Sequence, residues 1–167
     1  IFLLVLLMVQ VSNNQLSRRL SPEPVGSTAP LISILVPARN EENNIEACVR
    51  SLLQQDYPRK EVLVLNDHSE DKTASILKSI QQDFPELTII EGKELPQGWY
   101  GKHWACQQLA DASKGQLLLF TDADTVHHPS ALRAAYGAYC KDDADLLTAF
   151  LRQEMNTLGE RITVAFP

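Results

Sequence analysis

Asp122 and Asp124 flank one small residue, Ala123, directly after the apolar run Gln116 to Phe120. A buried strand ending there points both carboxylates out of the sheet edge. Two other segments place carboxylates after apolar runs, Pro37-Ala38-Arg39-Asn40-Glu41-Glu42 and Asp67-His68-Ser69-Glu70-Asp71. Carboxylates brought to close quarters repel unless a cation joins them or a proton is shared. Hard oxygen donors without a Cys or His cluster suit Mg²⁺ or Mn²⁺, whose shell substrate phosphate oxygens commonly complete. Neither glycine-rich phosphate motif occurs in the chain, so a phosphate would be held by a metal rather than a glycine loop. Plainer readings stand beside this one. Asp71 and Ser69 suit turn formation or helix capping. Glu41 and Glu42 could complement a helix N-terminus.

Strands and helices in alternation must position these segments. Leu31 to Val36, Glu61 to Asn66, Leu87 to Glu91 and Gln116 to Phe120 read as strands, with Asp145 to Phe150 as a fifth. Helical spacing covers Glu41 to Gln55 and Asp71 to Phe84. A third helix covers about Lys102 to Ser113, with Gly115 as its closing glycine. A fourth starts around Pro129 and runs to about Cys140. Such alternation predicts an α/β fold, a Rossmann-like mostly parallel sheet with helices on both faces. Right-handed crossovers place every strand C-terminus on one edge, where open α/β sheets bind ligands. The three carboxylate segments should therefore meet.

The 167 residues suit one α/β domain with a real core. Lys and Arg number 15 against 21 Asp and Glu, a net charge of −6, which argues against nucleic acid as a partner. Cys48, Cys106 and Cys140 form no C-x-x-C, so each is expected on an apolar helix face as a small hydrophobe. Between Ile1 and Val11 only Gln10 is polar. A clipped membrane anchor, a signal-peptide core and a buried helix all fit. Arg18-Arg19 favours the anchor with a cytoplasm-facing soluble part. The expected organisation is an anchor over 1–11, a Pro- and Gly-marked linker over 12–30, and the ligand-binding half of an α/β domain over 31–167, cut short at its end.

The Pro37 to Glu42 segment resembles the opening motif of family 2 glycosyltransferases with the GT-A fold. Asn66-Asp67-His68-Ser69-Glu70-Asp71-Lys72-Thr73 looks like that family's second motif, with Asn66 where the first aspartate usually stands. Asp122-Ala123-Asp124 falls where its D-x-D lies. Gly98-Trp99-Tyr100-Gly101-Lys102-His103-Trp104-Ala105-Cys106 resembles a membrane-anchored subgroup associated with hopanoid and carotenoid glycosylation. The resemblance implies strand order 3-2-1-4 and a nucleotide-diphospho-sugar donor. It places Pro37, Ala38, Arg39, Glu41, Asp67, Lys102 and Asp122 at the donor nucleotide, and Asp122 and Asp124 on Mg²⁺ or Mn²⁺. It implies metal-assisted inverting transfer to an acceptor, expected to be a lipid or membrane-embedded. The general base is expected beyond Pro167, since no motif singles out Glu154 or Glu160, so this portion alone should be inactive.

Arg39 and Lys102 could equally be solvated cations, and Trp99 and Trp104 packing residues rather than sugar platforms. The four histidines show no metal spacing, and solvated or capping roles are expected of them. Two rival functions remain. Phe120 to Val126 superficially matches the D-x-D-x-T/V of haloacid-dehalogenase-type phosphatases, which would make Asp122 a nucleophile. The chain could also be an inactive nucleotide-sugar binding module.

Overall fold

The structure is a computed structural model, which describes residues 20–26 and 28–149. The chain divides into two compact units, Pro22–Gly137 and a second formed by Ile1–Ser21 with Ala138–Pro167. The expected anchor over 1–11 lies outside the described residues, as do linker residues 12–19 and both Glu154 and Glu160. Among the described residues, no helix is long and apolar enough to cross a membrane.

The first unit carries β1 (Ile32–Ala38), α1 (Ile45–Leu53), β2 (Lys60–Asn66), α2 (Thr73–Asp83), β3 (Leu87–Glu91), α3 (Gly101–Ala112) and β4 (Leu117–Phe120). The helix α4 (Ala131–Lys141) starts in it and ends in the second. All strand pairs are parallel, in the order β3-β2-β1-β4, the predicted 3-2-1-4.

Alternation along each strand divides the core between two faces. Ile32, Ile34, Val36, Val62 and Val64 pack with Ile45, Cys48, Val49 and Leu52 of α1, Leu77 and Ile80 of α2, and Leu132 of α4. On the other face Leu35, Leu63 and Leu65 pack with Ala105 and Leu109 of α3. Full burial of one such side chain contributes roughly 1.5–3 kcal/mol, so these two clusters hold the sheet. At β4 the coverage differs from expectation. Leu117 and Leu119 pack inward, while Leu118 and Phe120 are 44% and 47% exposed.

α1 and α2 begin later than periodicity suggests. α1 starts at Ile45 because residues 42–44 form a turn in which the Asn44 and Ile45 N–H groups donate to the Glu41 carbonyl. α2 starts at Thr73 because Asp71 Oδ1 accepts from both the Thr73 N–H and its hydroxyl. Asp71 thus forms the turn, as its plainer reading holds.

Two expectations fail. No strand forms over the described residues 145–149. α4 stops at Lys141, Asp143 takes a left-handed conformation (φ 46°), and two leucines among aspartates do not sustain a run beyond it. Gly115 is not a left-handed helix terminator either, since Gly98 is the positive-φ glycine among the described residues. Gly115 is required for a different reason. A Cβ there would lie 2.6 Å from Ser33 N and 2.9 Å from Leu31 O. Its N–H donates to Ser33 Oγ at 2.8 Å, and that hydroxyl donates to Glu61 Oε1 at 2.5 Å.

Candidate functional site

The carboxyl edge of the sheet brings the three segments together. Ala38 and Asn66 are register partners, and the Asp67 N–H donates to the Ala38 carbonyl at 2.8 Å, so the first two segments leave the sheet side by side. β4 ends three residues earlier, with Phe120 beside Leu35. The Thr121 N–H still donates to the Leu35 carbonyl at 3.2 Å, and the chain then carries Asp122 and Asp124 to the edge that Pro37 and Ala38 also border.

They line an open cleft of about 340 Å³. Pro37, Ala38, Arg39, Glu41, Asp67, Lys102, Asp122 and Asp124 all border it, which brings together every residue that the resemblance placed at the donor or the metal. Gly101, Ala105 and Ala123 border it as well. Gly101 and Ala105 are the members to which the motifs assigned no role. Ala123 is 3% exposed and packs into the core from the turn after β4, which leaves the aspartates on either side of it exposed. Gly92 and Gly101 flank Asp67, and a Cβ on Gly92 would stand 3.0 Å from Asp67 Oδ1.

Much of the first two motifs is a lock between loops. Asn40 N–H donates to Ser69 Oγ at 3.0 Å, and Asn40 Oδ1 accepts from the Glu70 N–H at 2.8 Å. Glu41 N–H donates to Thr73 Oγ1, Glu42 N–H to Asp71 Oδ2, and Lys72 N–H to Glu42 Oε2. Asn40 and His68 both have φ of 55°, a left-handed conformation that non-glycine residues adopt only where surrounding bonds hold them. Ser69 and Glu42 are thereby structural. Asn66 is 5% exposed and turned away from the cleft: its Nδ2 donates to Glu91 Oε2 at 2.8 Å and its Oδ1 accepts from the Ser69 N–H. An aspartate at that position would set two carboxylates against each other.

Charge in the cleft is mixed. Lys102 Nζ lies 2.6 Å from Asp122 Oδ1, and this bond holds the ammonium above its ordinary pKa. Both side chains are more than half exposed, so the pair adds little to stability. Asp67 is more enclosed, with Arg39 at 3.9 Å from one oxygen and His68 Nδ1 at 3.2 Å from the other. Trp99 and Trp104 pack edge to face at 5.2 Å beside Gly101, consistent with their packing role.

Among the described residues, no cluster of three or more His, Cys, Asp or Glu side chains forms a metal cage. Asp122 and Asp124 do fit the open kind of site. They are hard oxygen donors, exposed at a cleft mouth, and one already bonds a cation from the protein itself. Mg²⁺ and Mn²⁺ bound with substrate phosphates need only one or two carboxylates from the protein.

The histidines and cysteines divide by burial. His128 Nδ1 accepts from the Ser130 N–H, a turn-capping role. His127 departs from the solvated role expected of it. It is partly buried, its Nε2 is 2.9 Å from Thr121 Oγ1, and burial pushes its pKa below the ordinary imidazole value. Cys106 is half-buried and Cys140 is exposed, contrary to the small-hydrophobe expectation for the latter, while Cys48 is fully buried under the Asp122 carbonyl. Burial pushes the Cys48 thiol up to about 12 from 9.0. Cys140 should then react with a thiol reagent at pH 8 at once, while Cys48 reacts only at the rate of unfolding. The sign also predicts that stability from Cys48 is complete below pH 9 and is lost as pH rises toward 12, measurable as a falling unfolding midpoint. Rapid native labelling of all three thiols would contradict this burial.

Comparison with known proteins bears on this cleft. A family model described as glycosyl transferase family 2 matches residues 33–162. A 4,4'-diaponeurosporenoate glycosyltransferase of Staphylococcus haemolyticus is 33% identical over 117 residues, which cover 70% of this chain and 30% of that protein. A mannosyltransferase from Pyrobaculum calidifontis, solved in complex with GDP-Man and Mn²⁺, superposes with a TM-score of 0.62 at 26% identity, covering 80% of this chain and 39% of that one. TarS residues 1–349 from S. aureus, solved with UDP, give 0.57 at 27% identity, covering 69% and 33%. The chain thus spans well under half the length of these relatives.

Proposed function

The chain belongs to glycosyl transferase family 2, and from that premise we propose that its cleft binds a nucleotide-diphospho-sugar with Mg²⁺ or Mn²⁺ for transfer of the sugar to a lipid or membrane-embedded acceptor. The observation that carries this reading is the convergence of Asp67, Asp122, Asp124, Arg39 and Lys102 on one cleft at the carboxyl edge of a 3-2-1-4 sheet. Family membership leaves the phosphatase alternative without support.

Pro37 and Ala38 offer a narrow apolar wall for the nucleoside, and the enclosed Asp67 carboxylate accepts hydrogen bonds from its base or ribose. Asp122 and Asp124 would hold the cation, which supplies charge neutralisation on the leaving diphosphate. Arg39 and Lys102 add positive charge near the phosphates, partly screened because both side chains are more than half exposed. The acceptor oxygen bonds to the anomeric carbon as the bond to the diphosphate oxygen breaks, with inversion. The hydroxyl proton passes to a general base that we place outside the described cleft, whose carboxylates are committed to donor and metal. Support for a lipid acceptor comes from the apolar run over 1–11, which suits a membrane anchor, and from the resemblance to the carotenoid-associated subgroup; Arg18-Arg19 after the run favours a cleft facing the cytoplasm.

Thermal unfolding of the protein with UDP or GDP tests the donor site. At about 100 times the dissociation constant, a ligand adds about 2.7 kcal/mol, or roughly 5–10 °C for a chain of this size. Stabilisation should require Mn²⁺ or Mg²⁺ and vanish with chelator. A shift that persists in chelator would overturn the metal assignment, and no shift with either nucleotide would overturn the donor site.

A further inference from the structure

Asp122 and Asp124 have little to hold them by their side chains. Asp122 bonds only the flexible Lys102, and Asp124 meets Thr125 Oγ1 at 3.5 Å, too long to fix it. Where the two carboxylates stand is therefore decided by the backbone of the loop that carries them. That backbone is tied at successive points to α1 and the residues just after it. Cys48 Sγ donates to the Asp122 carbonyl at 3.6 Å. The His127 N–H donates to Ser51 Oγ at 3.0 Å, and that hydroxyl donates on to the Cys48 carbonyl at 2.7 Å. Gln55 Nε2 donates to the His128 carbonyl at 2.8 Å, while Gln55 Oε1 accepts from the Leu132 N–H at 2.9 Å. The Asp56 N–H donates to the Pro129 carbonyl at 2.7 Å. Across the loop itself, His127 Nε2 closes onto Thr121 Oγ1, the residue just before Asp122.

We infer that Ser51, Gln55 and His127 are positioning residues that brace the 121–129 loop, so that Asp122 and Asp124 form a preformed cation seat. Gln55 is 4% exposed; its Nε2 holds the loop at the His128 carbonyl and its Oε1 holds the first turn of α4 at the Leu132 N–H, a pair of bonds that no apolar residue could replace. His127 fixes the chain at both sides of the two aspartates at once, by its N–H to α1 and its ring to Thr121. The same helix begins at the first motif, where Glu41 accepts from the Ile45 N–H, so α1 spans from the nucleotide wall to the cation seat. Preformation matters because ligands held to within about 0.5 Å bind without reorganisation, and outer residues that orient metal ligands typically change affinity 10–100-fold when removed. This inference rests on the metal reading of Asp122 and Asp124 proposed above.

Free Mn²⁺ measured by electron paramagnetic resonance, with the protein and either UDP or GDP, reads the seat directly. Ser51→Ala and His127→Leu should each weaken Mn²⁺ binding about tenfold while circular dichroism shows the native fold. His127→Gln places an amide near the Nε2 position and should restore affinity to within about threefold, which a role in packing alone does not predict. Folded variants that bind Mn²⁺ as the unsubstituted protein does would overturn the brace and leave the metal reading intact. Should His127→Leu fail to fold, Ser51→Ala, which deletes one oxygen, decides the same question. Asp124→Asn separates the two ideas: undiminished Mn²⁺ binding in that variant would sink the metal reading itself.

Discussion

Asp124→Asn in the full-length protein is expected to lower sugar transfer by about 10²–10³-fold, the scale for removing one group that stabilises charge in a transition state. Asparagine keeps the size of the side chain and one oxygen but not the charge, and Ala123, buried between the two aspartates, keeps the loop in place. The loss should thus fall on chemistry and metal affinity and not on folding. Raising Mn²⁺ should recover part of it, because a weakened site is refilled by mass action. Asp122→Asn should lose as much or more, since it also releases Lys102 from its 2.6 Å bond. Transfer measured with several nucleotide sugars across a Mn²⁺ series decides the matter. Activity that survives Asp124→Asn unchanged would remove this residue from the metal site.

Gly115→Ala should cost about 2–3 kcal/mol of stability, by forcing a methyl into a place already filled by backbone. The Cβ would press on Ser33 N in β1 and on Leu31 O just before it, backbone atoms that cannot swing away as a side-chain tip would. Any shift that relieves the clash also stretches the Gly115 N–H bond to Ser33 Oγ, and with it the Glu61 contact to the same hydroxyl. For a chain of this size the melting temperature should fall by roughly 4–12 °C. A second measurement localises the effect. The Ser33→Ala, Gly115→Ala double variant should recover part of the loss, because the hydroxyl is among the atoms the new methyl meets. Equal melting temperatures for Gly115→Ala and the unsubstituted protein would show that the β1–β4 junction is looser than these distances imply.

The two roles drawn from Gly115 illustrate what periodicity can and cannot tell. Its place after a helical run suggested a helix terminator, yet its requirement comes from Ser33, far away in the chain and adjacent only once β4 pairs with β1. Similar limits apply to the second motif. Ser69 and Asp71 were legible as turn formers, but their partners Asn40 and Glu42 lie on a different loop. The expected strand over 145–150 rested on a short apolar run, which says nothing about whether a ladder partner exists.

Four of the five expected strands, the helices, the parallel sheet and the charged members of the cleft were readable from the amino-acid sequence. Buried parallel strands are written as continuous apolar runs, and crossover handedness then leaves one edge for the polar segments. Three acidic segments after three strands could only meet there. What the tertiary structure alone decided is which polar groups serve the site and which serve the fold. Asn66 turns into Glu91, Glu42 into Lys72, and His127 into Thr121, while Asp67, Asp122 and Asp124 face the cleft. A polar side chain's role depends on the partner that three-dimensional packing brings within about 3 Å, and that distance is not encoded in its residue type or local spacing.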